Sequence, residues 1–145
     1  MAETNDHIAS GDFLLSLIPQ KSPFVMVDSL VEYADKKIVS NFTIGPTNIL
    51  AEEDFFSAAG LIENMAQTIA LHTGYKYYLL EKPAPTGYIG AIKKAEIFHL
   101  PRNSQKLVTT VEILHDIMDV TLVKAQVECD GRIIANSEMK TALAK

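Results

Sequence analysis

Between residues 56 and 73 the chain runs almost without a polar face. Ala58, Ala59, Leu61, Ile62, Met65, Ala66, Ile69 and Ala70 spread around nearly the whole helical wheel. A helix of that composition cannot lie on a surface, so other structure has to wrap it. Strand-like segments on both sides of it supply the wrapping. Residues 24–33 and 38–44 read as two strands joined by the turn Ala34-Asp35-Lys36-Lys37, and Gly45-Pro46-Thr47-Asn48 breaks the second. Ahead of them, Phe13-Leu14-Leu15-Ser16-Leu17-Ile18 reads as a short helical piece ended by Pro19. Gly74 is expected to stop the long helix, and Pro83 and Pro85 mark a loop beyond it.

Four strands follow, at residues 88–98, 107–115, 120–128 and 132–143, with Asp130-Gly131 as the tight hairpin turn between the last two. In the second of them Leu107, Thr109, Val111 and Ile113 alternate with Val108, Thr110, Glu112 and Leu114, giving one apolar-leaning face and one mixed face. Two strands, one long apolar helix and an antiparallel meander predict an α+β fold in which an antiparallel sheet wraps one central helix.

The 145 residues, 48% of them hydrophobic, suit one domain over residues 13–145 behind a polar leader at 1–12. A net charge of −5, with no Lys/Arg run longer than a pair, argues against a nucleic-acid partner. No apolar run has the length of a bilayer span, and Met1-Ala2-Glu3-Thr4-Asn5-Asp6 lacks the basic, apolar opening of a signal peptide, so a cytoplasmic protein off the membrane is expected. The lone Cys129 excludes an intramolecular disulfide and is expected to pack in a strand. No Cys/His pair has zinc-site spacing, so no metal site is expected.

Within the apolar helix stands one carboxylate, Glu63, with Gln67 one turn on along the same face. A carboxyl in apolar surroundings can exchange its proton near neutrality, which makes Glu63 the first candidate for chemistry. A structural acid satisfied by backbone amides is the equally weighted alternative. His72 lies nine residues after Glu63, more than two turns away, so the two cannot touch within one subunit. Asn64, Thr68 and His72, spaced by four, read instead as a polar stripe at the helix edge, with an approach of His72 to a partner's site as the second choice. His99 and His115 are expected at the surface and His7 in the leader. Lys93 and Lys94, adjacent on a strand, point to opposite faces, so at most one of them meets an acidic partner.

Three pieces in register, Leu17-Ile18-Pro19-Gln20-Lys21-Ser22-Pro23-Phe24-Val25-Met26-Val27-Asp28, Gly60-Leu61-Ile62-Glu63-Asn64-Met65-Ala66-Gln67 and Gly87-Tyr88-Ile89-Gly90-Ala91-Ile92-Lys93-Lys94-Ala95, give the chain a resemblance to the hot-dog-fold 3-hydroxyacyl-[acyl carrier protein] dehydratases. It looks most similar to the ApeP-like branch associated with aryl polyene synthesis. The resemblance implies a hot-dog dimer with an acyl tunnel at the subunit interface. There a 3-hydroxyacyl thioester on the phosphopantetheine of an acyl carrier protein, or on coenzyme A, loses water to give the 2-enoyl thioester. No other cofactor is implied. Glu63 matches the catalytic helix carboxylate, and backbone amides around Gly60 would hold the thioester carbonyl. Asn64 and Gln67 are the further substrate-contact candidates.

The chain departs from the family at the second proton-transfer group. Ala51-Glu52-Glu53-Asp54-Phe55-Phe56-Ser57-Ala58-Ala59 replaces the Gly-His-Phe-Pro segment that carries the histidine, and Pro19-Gln20-Lys21 replaces Pro-His-Arg. Gln20, the candidate occupant, hydrogen-bonds but cannot shuttle a proton near pH 7. Three functions stay open. The chain is a dehydratase relying on Glu63 with Gln20, Asn64 or a water, or a non-catalytic subunit that binds acyl carrier protein or completes a heterodimer, or an acyl thioesterase.

Overall fold

In the computed structural model, which describes residues 7–144, the long helix is cradled by one antiparallel sheet. The elements in order are β1 (Ala9–Ser10), α1 (Gly11–Leu17), β2 (Ser29–Ala34), β3 (Lys37–Thr43), β4 (Ala51–Glu52), β5 (Phe55–Phe56), α2 (Ala58–Leu79), β6 (Gly87–Ile97), β7 (Lys106–Ile117), β8 (Val120–Cys129) and β9 (Arg132–Leu143). The seven-stranded sheet runs β1-β2-β3-β7-β8-β9-β6, and β4-β5 form a separate small hairpin. The chain therefore lays α2 between β3 and the meander, while β3 pairs directly with β7 from Lys37↔Glu112 to Thr43↔Lys106. This is the hot-dog arrangement that the sequence predicts. Leu107, Thr109 and Val111 of β7 are fully buried, as their alternation requires. Leu107 and Val111 join Val123, Ala125 and Val127 of β8 and Met139 of β9 in a core with Leu61, Met65 and Leu71 of α2. Cys129 is buried at the end of β8, and burial pushes its thiol pKa up.

Two expectations need correction. Residues 24–28 are not strand: β2 begins at Ser29, because the main chain at Phe24 and Met26 bonds side-chain amides of α2 instead of a neighbouring strand. Gly74 does not stop α2, which continues to Leu79. Its missing side chain serves packing, since a Cβ there would lie 1.9 Å from the carbonyl oxygen of Leu17. The helix ends later, where Leu80 N–H still donates to Lys76 O and Glu81 turns to positive φ.

The β7–β8 turn, Met118-Asp119, and the β8–β9 turn, Asp130-Gly131, both have positive φ at their two central residues, and only the second was expected. Of the leader, Ala9 and Ser10 pair with β2 and α1 starts at Gly11; residues 1–6 lie outside the described residues. Lys21 Nζ caps α1 by donating to Leu15 O at 2.7 Å and Ile18 O at 2.9 Å.

Candidate active site

Gln67 is the hub of the site. It is completely buried on α2, and its Oε1 accepts the Met26 N–H at 2.6 Å. That contact fixes which end of the amide is oxygen, so Nε2 faces the other way with two hydrogens to give. One goes to Phe24 O at 2.8 Å, the other to Glu63 Oε2 at 2.7 Å. Glu63 itself is half-buried rather than enclosed. Among the described residues nothing else bonds its carboxylate. Oε2 is thus held as an acceptor, and Oε1 has no hydrogen-bond partner among the described residues.

Asn64, expected at the substrate, is fully buried and turned inward. Its Nδ2 donates to Met26 O at 2.8 Å, and its Oδ1 accepts from Thr109 Oγ1 at 2.6 Å. Thr68 Oγ1 donates to Asn64 O at 2.8 Å and lies 2.7 Å from Ser40 Oγ. Asn64 and Gln67 therefore grip both sides of Met26, pinning the 24–28 loop beside Glu63. Gly60, expected to offer its amide, donates it to the Ser57 Oγ N-cap at 3.1 Å. Its lack of a side chain matters for a second reason, since a Cβ would come 2.5 Å from the Phe56 ring.

The expected edge stripe of Asn64, Thr68 and His72 is in fact buried against β2, β3 and β7. His72 Nε2 lies 2.9 Å from Ala34 O, and the ring stacks on Tyr33 at 5.0 Å. Burial lowers the His72 pKa, while the carbonyls of Ala34 and Asp35 and the Asp35 carboxylate oppose that, and Lys76 adds to it. A histidine held neutral in the fold but free to charge when unfolded makes the unfolded state the better proton binder below about pH 6.5. Stability is therefore full above that pH and falls as the solution is acidified toward the lowered folded value. Melting curves from pH 8 to pH 5 should show this loss, and His72→Gln should flatten the profile across that window. An equal slope in both proteins would remove His72 as its source.

Gln20 lies where the loop meets α2. Its Oε1 is buried and has no hydrogen-bond partner among the described residues. It lines a cavity of about 340 Å³ with Ala66, one turn beyond Glu63, and with Ala70, Tyr88 and Ile89. The structure joins Glu63 to Gln67, sets Gln20 on a cavity wall with Ala66 that neither Glu63 nor Gln67 lines, and turns Asn64 inward. His99 and His115 are exposed. A second recess, lined by Ile49, Phe55, Ala58, Ala59 and Leu100, opens at the start of α2. Sequence reasoning missed Met26, whose backbone organises the site; a glutamine inside an apolar helix was its only signal.

The sequence matches the ApeP-like family, described as ApeP dehydratase, over residues 14–144. The chain belongs to that family. Among curated relatives of this ApeP-like chain, the 3-hydroxyacyl-[acyl-carrier-protein] dehydratase FabZ of Pasteurella multocida is 24% identical, over 96% of this chain and 94% of the relative. FabZ of Vibrio cholerae is 23% identical over 88% and 86%. The dehydratase heterocomplex ApeI:P from Xenorhabdus doucetiae superposes with a TM-score of 0.84 at 14% identity, covering 91% of each chain. A hypothetical thioesterase with coenzyme A from Streptococcus pneumoniae reaches 0.64 at 10% identity, over 79% of this chain and 84% of that one. These solved structures share the ApeP-like fold. Among the described residues no helix is long and apolar enough to cross a membrane.

Proposed function

We propose that this ApeP-like chain binds 3-hydroxyacyl thioesters of acyl carrier protein and works in their dehydration, with Glu63 as its proton-transfer group. The observation that carries the reading is the Gln67 amide, which is locked by Met26 and Phe24 and donates to Glu63 Oε2. An acid oriented by a fixed neighbour, with one oxygen open, suits a group that must meet a substrate proton. Elimination breaks the C2–H and C3–O bonds and forms the 2,3 double bond; the C2 proton goes to a base, and the hydroxyl leaves as water after receiving a proton. Glu63 Oε1 takes the C2 proton and returns it to the departing hydroxyl, so the one carboxyl carries both transfers. Gln20, with its unpaired Oε1, would accept a hydrogen bond from the 3-hydroxyl and orient it. The family membership and the FabZ relatives support the reaction class. The setting proposed is fatty acid or aryl polyene type synthesis, the first supported by the FabZ relatives and the second by the ApeP-like family.

A second reading has its own observation. None of the histidines shares the Gln20 cavity, so a histidine acting as a separate proton donor to the leaving hydroxyl would come from another chain. The structural neighbour from Xenorhabdus is a dehydratase heterocomplex, which supports considering a second hot-dog subunit. A homodimer offers only this chain's own histidines; a heterodimer could bring a new one. The test is to incubate the purified protein with 3-hydroxyacyl and saturated acyl carrier protein thioesters and follow the products by mass spectrometry. Loss of water by the protein alone supports the single-chain dehydratase. Stable thioester binding with turnover only when a histidine-bearing hot-dog partner is added supports the subunit reading. Release of free acid replaces both with a thioesterase, and absence of binding defeats all three.

A further inference from the structure

Behind the Gln20 cavity lies a second, much smaller one of about 50 Å³, and the two have Ile69, Thr73, Thr141 and Leu143 in common as wall residues. The small cavity has the buried Val111 and Val123 with Ile113 as its apolar part, and the rest of its lining is polar, with His72, Lys76 and Thr121 beside the exposed Asp35 and Asp116. The dividing wall is well anchored. Leu143 pairs with Gly87 of the edge strand, its N–H donates to Asp119 O at 3.0 Å, and the next amide donates to Thr86 O at 2.7 Å. Leu143 Cδ2 also fills the space over Gly87, where a Cβ would meet it at 3.7 Å. From Ala66 to Thr73, α2 advances about 10 Å along this route at 1.5 Å per residue.

We infer that Leu143, backed by Ile69, is the end wall that sets the longest acyl chain this site accepts, and that the apolar part of the small cavity behind it is unused space. The inference rests on the acyl-thioester reading given above. The back cavity has room for about one or two water-sized groups, a water occupying about 30 Å³. Shortening Leu143 would join the two spaces and let a longer tail reach Val111 and Val123. Leu143 is only half-buried, so its truncation threatens the fold less than truncating Ile69 would.

The test is calorimetric titration of wild type and Leu143→Ala with a series of acyl-pantetheine amides, which bind like thioesters and resist hydrolysis. Each methylene buried is worth about fourfold in Kd. For the wild type, Kd should fall about fourfold per methylene up to a limiting length and then level off. In Leu143→Ala the fall should continue for about two more carbons, roughly fifteenfold in all. A plateau at the same length in both proteins would overturn the inference while leaving acyl binding intact. No binding of any chain by the wild type would sink the acyl-thioester reading as well. Gly87→Ala gives an independent check if Leu143→Ala does not fold. Its methyl makes ordinary contact with Leu143 and thickens the wall, so the plateau should come about one carbon earlier, and an unmoved plateau counts against the wall.

Discussion

Glu63→Gln is expected to lower 3-hydroxyacyl thioester turnover by about 10²- to 10⁴-fold, the range of a lost general acid or base, with almost no change in melting temperature. The substituted amide can still turn its oxygen toward Gln67 Nε2 and keep the hydrogen bond that Glu63 Oε2 receives. What it loses is the capacity to take a proton on the other oxygen. Because that capacity is used in the transition state, kcat and kcat/KM should fall together while substrate affinity stays close to wild type. The measurement is mass-spectrometric turnover beside a thermal melt, with the histidine-bearing partner present if the wild type needs it. Unchanged turnover would make Glu63 a structural acid and remove every catalytic reading of this site.

Gln67→Met should show the opposite balance. The side chain is similar in length, but it cannot satisfy the buried Met26 N–H or the Phe24 carbonyl that Gln67 bonds at 2.6 and 2.8 Å. Leaving a buried group unpaired costs about 1–3 kcal/mol, and two such groups, one only partly buried, suggest about 2–4 kcal/mol. In a chain of this size that lowers the melting temperature by roughly 5–12 °C. Turnover measured below both transitions should fall by about ten- to a hundredfold, less than in Glu63→Gln, because Glu63 keeps its proton chemistry and loses only its fixed orientation. A melting point equal to wild type would mean that the 24–28 loop does not depend on Gln67.

What could be read from the sequence and what could not divides by the range of the interactions. The alternation of β7 and the Asp130-Gly131 turn are local signals, and both appear in the structure as read. The loop at 24–28 looked like strand because its composition suits one. Its partners are amides on α2, 38 to 43 residues further along the chain, and no local pattern shows them. Asn64, Thr68 and His72 were recognisable as one stripe by their spacing of four. Which side of the helix met the sheet was not, so a network buried against three strands was read as a stripe at the helix edge. Met118-Asp119 makes a tight turn with a residue that carries no turn signal. At the site, Glu63 stood out as a charge among apolar neighbours, and Gln20 as an amide where the resemblance led one to look for a histidine. The cavity beside Gln20 draws its walls from four separate parts of the chain, which only the fold brings together.

Gly74 has no reactive group and lies 11 positions from Glu63, yet it governs how closely the segment carrying Gln20 can sit. The obstacle that any side chain at this position would meet is the main-chain oxygen of Leu17. Every residue type has that oxygen, so no exchange at position 17 can make room. In the evolutionary history of such a chain, position 74 would be locked without a compensating partner. Its tolerance would be decided by backbone geometry, and pairwise covariation would carry no trace of the contact.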